Sequence, residues 1–243
     1  MNRIDLNCDL AEGGAFDAAL MPLISSCNIA CGGHFGTKAT ITKAVELALE
    51  NKVNIGAHPS YLDQENFGRK TMNISLEALE NTLRDQILQV KSITERLGGK
   101  LHHVKPHGAL YNEIVKDVEK ANLVIKMVKE IDEELILFVP PNSAVESLAK
   151  AKLNTWKEGF ADRNYEADFS LVSRLKNNAI LHDKSSVFNH VFLMVSEGKI
   201  QLQNKKFLEA KFDTICVHSD TQNSVEILRY LRENLERKNI KIA

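Results

Sequence analysis

The segment Leu101–Tyr111, which reads LHHVKPHGALY, has the pattern of a buried strand that turns directly into a helix. Pro106 has no backbone N–H to donate and therefore ends the hydrogen-bonding pattern of the strand. Gly108 allows the backbone to turn, so that a helix begins near Ala109. The segment thus predicts a junction between a strand and a helix, and much of the chain repeats this arrangement.

The same segment carries titratable side chains on a strand that is otherwise typical of a core. Residues two apart on a strand point to the same face, so His103, Lys105 and His107 lie on one side. The opposite side is mostly apolar. A lysine inside a buried strand has to pair with an anion, because an unpaired buried charge is strongly destabilising. The pattern therefore predicts a functional face and not only a packing face.

Strand-like and helical runs alternate along the whole chain. The predicted strands are Arg3–Asp9, Ser26–Cys31, Val53–His58, Leu101–Lys105, Leu135–Val139, Leu153–Glu158, Asn178–Leu181 and Asp213–His218. The predicted helices are Thr37–Glu50, Ser75–Leu97, Ala109–Glu130, Ser143–Lys150, Ser185–Ser196 and Thr221–Arg237, and Lys199–Ala210 reads as a hairpin turning at Asn204. This alternation predicts a parallel sheet, and the number of units favours a closed or nearly closed (β/α) barrel formed by residues 1–243 as one domain. An open doubly wound sheet is the alternative.

Polar side chains share one face of several predicted strands, although strands of a parallel sheet normally read as continuous apolar runs. If the apolar faces pack on the helices, the polar faces meet on the barrel axis near the C-terminal strand ends, where barrel enzymes have their sites. We therefore expect five residues from different strands to line one pocket, with Arg69 or Arg163 above it: Asp9, His58, Lys105, His107 and Glu158.

Composition limits the classes of partner. Lys and Arg number 31 against 32 Asp and Glu, so the net charge of -1 argues against binding to nucleic acid or to a membrane surface through bulk charge. The first ten residues do not read as a signal peptide, and no apolar run is long enough to span a bilayer. The four cysteines read as reduced, buried thiols of a cytoplasmic protein. Zinc binding by Cys27 and Cys31 is disfavoured, because four residues on a strand span about 13 Å.

Carboxylates are concentrated at the end of the first strand. Asp5, Asn7 and Asp9 share a face, and Glu12 follows shortly after. Like charges this close raise a pKa or recruit a cation, which is typical of general-base or Mg²⁺ chemistry. The structural alternative is that Asp9 and Glu12 cap the following turn. We favour a functional role, because polar residues on a buried face need partners.

Four histidines lie at the ends of predicted strands. Three of them are next to Gly or Pro, and the fourth belongs to the last predicted strand. One of them alone is more often a structural, hydrogen-bonded residue. Four together favour a site, and these are His34, His58, His107 and His218. Apart from His103, which lies on the polar face of Leu101–Tyr111, three histidines remain. We assign them structural or surface positions, and they are His102, His182 and His190.

Two loop arginines are candidates for holding a carboxylate or a phosphate. Arg69 follows the third strand and Arg163 follows the sixth, next to Asp162, and an exposed loop role is about equally expected for each. The sequence lacks the glycine-rich phosphate-binding patterns and the G-x-S-x-G serine motif. An acidic, histidine-rich lumen favours hydrolysis of a C–N or C–O bond by activated water over a serine mechanism.

Taken in order, the motifs resemble those of the LamB/YcsF family: DLNCDLAEG, NIACGGH, GAHPSY, FGR, KPHGALY, FADRNY, LVSR and DTICVHSD. The resemblance covers nearly the whole chain and implies a distorted (β/α) barrel related to polysaccharide deacetylases. It also implies a part in the ATP-dependent opening of 5-oxoproline to L-glutamate, within a complex that contains subunits B and C. ATP, with Mg²⁺, is then a co-substrate. This chain departs from the family pattern at the loop after Glu12, at Gly33 and Thr37, and at Ser173.

The residues fit this reaction in outline. Lys105, Arg69 and Arg163 could hold the phosphate and the substrate carboxylate, and Asp9, His58 or His107 could activate water. We therefore take Asp9, His58, Lys105 and His107 as catalytic, and assign substrate or nucleotide binding to Asp5, Asn7, Glu12, His34, Arg69, Glu158, Asp162, Arg163 and His218. One alternative is a metal-dependent deacylase in which Asp9, His34 and His58 hold the ion. The other is a non-catalytic subunit that binds the lactam.

Overall fold

The chain folds into a closed barrel of parallel strands surrounded by helices. The computed structural model describes residues 3–221 and 223–243. Within these residues, the barrel consists of β1 (Arg3–Leu10), β2 (Ser26–Ala30), β3 (Asn54–His58), β4 (Leu101–Val104), β5 (Ile136–Val139), β6 (Asn154–Phe160) and β9 (Thr214–Cys216). Neighbours pair in that order, and β9 pairs with both β6 and β1, which closes the barrel. Outside it lie the antiparallel hairpin β7 (Lys199–Gln201) and β8 (Phe207–Glu209), and β10 (Lys241–Ile242) beside β1.

Helices cover the outside of the barrel. They are α1 (Asp17–Leu20), α2 (Lys38–Asn51), α3 (Leu76–Arg96), α4 (Gly108–Glu113), α5 (Val118–Ile131), α6 (Ala144–Ala149), α7 (Lys184–Glu197) and α8 (Ser224–Arg237), with a 3₁₀ turn at Met21–Leu23. The longest, α3, begins where the Ser75 hydroxyl accepts a hydrogen bond from the Ala78 amide, and it buries Leu79, Leu83 and Ile87 against the core. None of the described helices is both long and apolar enough to cross a membrane.

Two predicted elements are wrong. Asn178–Leu181 is not a barrel strand, because within it only Ile180 makes an isolated antiparallel bridge, to Arg163, in the loops above β6. The predicted helix Ala109–Glu130 is two helices, since the chain breaks after α4 and Asp117 caps α5 by accepting from the Lys120 amide. The hairpin is confirmed, with its turn around Asn204, and Gln222 of the predicted last helix lies outside the described residues.

Successive side chains of a strand point alternately to the apolar core and to the barrel lumen, as the sequence predicts and as β1 shows. Leu6, Cys8 and Leu10 of β1 belong to the apolar core, whereas Asn7 and Asp9 take part in hydrogen bonds across the lumen. All four cysteines are free and buried. β1 thus presents one face to the apolar core and the other to the barrel axis.

A glycine in β3 makes room for a histidine of the opening segment. A Cβ atom at Gly56 would lie 2.1 Å from Nε2 of His103, so no other residue fits without displacing that ring. His103 is completely buried, stacks on Phe138 and hydrogen-bonds to Asn28. The imidazole therefore fills the lumen in place of a larger side chain on β3.

Asp5 lies at the closed end of the lumen, away from solvent. Its carboxylate accepts hydrogen bonds from the hydroxyls of Ser26 and Thr214, and the residue is 2% exposed. Burial raises the pKa of Asp5 from 3.8 to about 6, although the two hydroxyls act in the opposite direction. The folded chain therefore holds a proton here that the unfolded chain has already lost near pH 5.

We expect Asp5→Asn to remove a pH dependence of stability. Below about pH 4 Asp5 is protonated in both states. Between pH 4 and 6 only the unfolded chain ionises, so the free energy of unfolding falls by on the order of 2–3 kcal/mol. Urea unfolding at closely spaced pH values measures this fall, and the difference between wild type and variant isolates Asp5. Asp85→Asn, on the exposed side of α3, is the control. Parallel curves for wild type and Asp5→Asn would contradict the assignment.

Candidate functional site

Lys105 is the centre of the lumen network. Its Nζ lies 2.8 Å from Oδ1 of Asp9 and 2.9 Å from Oε1 of Glu158, and also 3.2 Å from Sγ of Cys216. These partners come from β1, β6 and β9, and Lys105 itself follows β4. Although burial lowers the pKa of Lys105, the surrounding negative groups outweigh it and hold that pKa well above the usual value. The ammonium therefore stays charged and joins four strands.

Asp9 is kept ionised by the same contacts. Burial opposes ionisation, but nearby His58 and the Lys105 ammonium outweigh it and hold the pKa of Asp9 well below its usual range. Oδ1 accepts from Lys105 and from the Asn28 amide at 2.7 Å, while Oδ2 lies 3.4 Å from Nε2 of His58. One oxygen of Asp9 is thus occupied by structural donors, and the other faces the cavity side of the network.

The side-chain amides of Asn28 and Asn7 extend the hydrogen-bond network of Lys105 and Asp9 toward the closed end of the barrel. Each amide N–H in this part of the network has an acceptor. Asn28 Nδ2 donates to Oδ1 of Asn7 at 2.8 Å, and Asn7 Nδ2 donates to Thr214 Oγ1 at 2.7 Å and to Glu158 Oε1 at 3.0 Å. The Thr214 hydroxyl then donates to Asp5. Because each donor hydrogen has its own acceptor, the lower lumen is fully bonded and has no place for a ligand.

A second cluster, formed by Glu12, His34, His58 and His107, adjoins Asp9 at the top of the lumen. Their ligand atoms all lie within 4.8 Å of one another. Nδ1 of His107 is 2.9 Å from Nε2 of His58, and Nε2 of His34 is 2.8 Å from Oε1 of Glu12. Burial, together with the charge of Asp9, raises the pKa of Glu12 to about 7, and burial lowers the pKa of His34 to about 4. We refer to these four residues as the histidine cluster.

Backbone carbonyls determine which ring nitrogens of two of these histidines carry hydrogen. Nδ1 of His58 donates to the Lys105 carbonyl at 2.7 Å, and Nε2 of His107 donates to the Phe67 carbonyl at 3.0 Å. Phe67 has a φ of 55°, a left-handed conformation that is costly for an aromatic residue and directs this carbonyl at the ring. The remaining nitrogens, Nε2 of His58 and Nδ1 of His107, are the pair that face each other.

A cavity of about 530 Å³ opens above these groups at the C-terminal ends of the strands. This volume is in the range of small-molecule sites. On its rim, Asp220 lies between two arginines, 3.1 Å from Arg69 and 3.3 Å from Arg174. On its wall, the Tyr111 hydroxyl and Glu158 Oε2 are buried and make no hydrogen bond of good geometry among the described residues, although the two side chains interact with each other. Burial first, and the charge of Glu158 second, raise the pKa of Tyr111, so the hydroxyl keeps its proton.

The structure brings together most of the residues that the sequence singles out. The predicted convergence on one pocket is confirmed, and the cavity is lined by Asp9, Glu12, His58, Arg69, Lys105, His107, Glu158, Arg163 and His218. Four candidates do not line it: Asp5 and Asn7 lie in the bonded network below, His34 stands behind Glu12, and Asp162 is buried against His218 and Thr221. The roles assigned to all these residues stay predictions.

Arg163 has a different position from the one expected of an anion clamp. Its Nε donates to the carbonyl of Ala179 at 3.3 Å and its Nη2 to the carbonyl of Val172 at 2.6 Å. These carbonyls belong to the loops that cover the cavity, so Arg163 holds the loops in place. A clamp needs a free guanidinium face, and here two donors are already bound.

Three of the cavity residues that the predicted set lacks carry polar groups described above. Tyr111 stands one helical turn after His107, which puts both on the same side of α4, and this spacing was readable in KPHGALY. Arg174 belongs to the LVSR segment and Asp220 to the end of VHSD. Arg174 and Asp220 meet at the rim only because loops far apart in sequence come together, so no local sequence pattern predicts their contact.

We expect Lys105→Met to destabilise the chain by about 3–5 kcal/mol, because it leaves two buried carboxylates without their counter-charge. Urea unfolding measures the loss, and Lys126→Met, on the exposed side of α5, is the control with an expected change under about 0.5 kcal/mol. Lys105→Met/Glu158→Gln should lose less than the sum of the single variants. Strict additivity would show that the two groups are not coupled.

The chain is similar in sequence and in structure to known proteins. It is 42% identical over 244 residues to the A subunit of 5-oxoprolinase from Haemophilus influenzae, and the alignment covers 100% of both chains. The crystal structure of a lactam utilization protein from Thermus thermophilus superposes with a TM-score of 0.92 and 36% identity, over 99% of this chain and 98% of that chain.

More distant structures share the architecture. A family 4 carbohydrate esterase from Streptomyces lividans superposes with a TM-score of 0.53 and 12% identity, over 100% of this chain and 92% of that chain. This likeness confirms the predicted relation to the deacetylase barrel as a matter of fold. The LamB/YcsF family model matches residues 4–243, and the chain belongs to the LamB/YcsF family.

Proposed function

We propose that this chain is the A subunit of an ATP-dependent 5-oxoprolinase, which opens 5-oxoproline to L-glutamate while ATP is hydrolysed to ADP and phosphate. The relatives' names support the choice of substrate. The observation that carries a catalytic role is Asp9, an ionised carboxylate with one oxygen free at the floor of a cavity of about 530 Å³. A protein that only bound a lactam would have no need for a base held in this state.

The reaction needs ATP because a five-membered lactam is a poor electrophile. Transfer of the terminal phosphoryl group to the lactam oxygen releases ADP and makes the ring carbon open to attack. Water then adds to that carbon and the C–N bond breaks, which leaves an acyl phosphate that a second water hydrolyses to glutamate and phosphate. Oδ2 of Asp9 is placed to accept the proton of the attacking water, since Oδ1 is occupied by Lys105 and Asn28.

The cavity offers different groups at its floor and at its rim. On the wall, the Tyr111 hydroxyl and Glu158 Oε2 can bond the lactam, because neither makes a hydrogen bond of good geometry within the described chain. On the rim, Arg69 and Arg174 share one carboxylate, Asp220, so a positive charge remains for the substrate carboxylate or a phosphate. Lys105 is too fully paired to serve as the phosphate clamp, and its role is to keep Asp9 ionised.

A second candidate is hydrolysis of an acyl group without ATP, by a metal ion in the barrel. The histidine cluster favours it, because three imidazoles and a carboxylate meet beside Asp9. ATP dependence separates the two candidates, since a metal-dependent deacylase consumes no nucleotide. Loss of turnover with retained 5-oxoproline binding, in a complex that contains Asp9→Asn, separates both from a non-catalytic role.

We expect the chain, combined with subunits B and C of the same source, to convert 5-oxoproline to glutamate only when ATP and Mg²⁺ are present. Glutamate and ADP are measured together, and the proposed chemistry requires one ADP for each glutamate. Omitting this chain, the partner subunits or ATP should each abolish product. Glutamate formed without ADP would contradict the proposal and support the deacylase candidate.

In the same complex, Tyr111→Phe tests the pocket itself. The substitution keeps the ring and removes only the hydroxyl, so we expect kcat/KM for 5-oxoproline to fall about tenfold, or about 1.4 kcal/mol. Tyr230→Phe, on α8 beside Phe188, is the matched control and should be unchanged. Equal activity of the two variants would show that the Tyr111 hydroxyl does not contact the substrate.

A further inference from the structure

The two facing nitrogens of His58 and His107 form an unusual pair. When both rings are neutral these nitrogens are acceptors, because the other nitrogen of each ring donates to a backbone carbonyl. They nevertheless lie only 2.9 Å apart. Two lone pairs at this distance repel each other unless a proton or a metal ion lies between or beside them. A proton on Nε2 of His58 is shared between Nδ1 of His107 and Oδ2 of Asp9, and a metal ion bound at this place displaces it. The arrangement, with each outer N–H held by a carbonyl, is the one that ligands of metal ions adopt.

The third corner of the site is Glu12. Its Oε1 lies 3.8 Å from Nε2 of His58 and 3.5 Å from Nδ1 of His107. With the 2.9 Å between the two nitrogens, these distances define a triangle whose centre is about 2.0 Å from all three atoms, which matches the 2.0–2.2 Å of zinc bonds to imidazole and carboxylate. The rings of His58 and His107 are nearly perpendicular, at 85°, so both planes can contain one point.

His34 has a supporting position in this arrangement. Its ring stacks on His107 with 6° between the planes and 3.7 Å between centroids, so the plane of His34 misses a point that lies in the plane of His107. Nε2 of His34 is 2.8 Å from Oε1 of Glu12, and Nδ1 is 3.0 Å from the Ser60 hydroxyl. The Ser60 hydroxyl donates its hydrogen to the Tyr61 carbonyl at 2.9 Å, so it accepts from Nδ1 of His34. Nε2 of His34 is thereby held against Oε1 of Glu12, and this contact orients Glu12 toward the centre of the triangle.

From this geometry we propose that His58, His107 and Glu12 bind one divalent transition-metal ion of the zinc class at the floor of the cavity, with His34 as a positioning residue. The two imidazoles select such an ion over Mg²⁺ or Ca²⁺, which prefer oxygen ligands. All three ligands line the cavity, so the ion keeps an open side toward a substrate, and Oδ2 of Asp9 stands 3.4 Å from the ligating nitrogen of His58. The site stands whether or not the substrate is a lactam.

The test is metal binding, measured without any activity assay. The purified chain is dialysed against EDTA and titrated calorimetrically with ZnCl₂ in the presence of excess MgCl₂. We expect one zinc ion per chain, and binding at least 100-fold weaker for His107→Gln and for Glu12→Gln, because losing a ligand costs more than the 10- to 100-fold that is typical of a supporting residue. His182→Gln, which removes an exposed histidine of the same chain, should bind as the wild type does.

Cobalt gives a second readout that does not depend on the variants. Because the proposed ligands are nitrogen and oxygen, Co²⁺ bound to the wild-type chain should show visible d–d bands without the near-ultraviolet band of a cobalt–thiolate bond. Circular dichroism confirms that each variant is folded before its affinity is compared. Absence of zinc binding, displacement of zinc by Mg²⁺, a thiolate band, or undiminished binding by both folded variants would each overturn the assignment.

Discussion

The buried ammonium of Lys105 is the constraint on which the barrel depends. A cation that is 3% exposed must have anions within hydrogen-bond distance, because removing it from water costs several kcal/mol. Asp9 from β1 and Glu158 from β6 supply them, at 2.8 and 2.9 Å. These strands are not neighbours of β4, so the contacts form only when the sheet closes. Charge pairing on the axis and closure of the barrel therefore stabilise each other.

The rest of the lumen follows from satisfying these charges. Asp9 and Glu158 have more acceptor sites than one ammonium can fill, and the amides of Asn7 and Asn28 occupy those that face downwards. At the upper end of the lumen there are fewer donors than acceptors. Within the described part of the chain, Glu158 Oε2 makes no hydrogen bond of good geometry. The same network thus divides the lumen into a bonded lower half, which serves stability, and an open upper half, which is available for chemistry.

The upper half is built from short junctions, each of which places one side chain above the strands. His58 ends β3 and His107 precedes α4, and the loop through Phe67 crosses between them to bond His107 from above. Left-handed backbone at Phe67, Gly68 and Gly108 makes this approach feasible, since the Gly68 carbonyl lies 2.5 Å from where a Cβ on Gly108 would stand. The strained backbone of Phe67 lies at the site, where it orients functional groups.

Sequence by itself determined the alternation of elements, the parity of each strand and hence the set of side chains that face the axis. These features are local, because a period of two follows from backbone geometry alone. Asp9, His58, Lys105, His107 and Glu158 could therefore be chosen before any contact was known. Only tertiary structure decided which of them pair, that Arg163 bonds loop carbonyls, and that Asn178–Leu181 stays outside the barrel. Those outcomes depend on distances between segments far apart in the chain, and on competition among partners that sequence spacing does not encode.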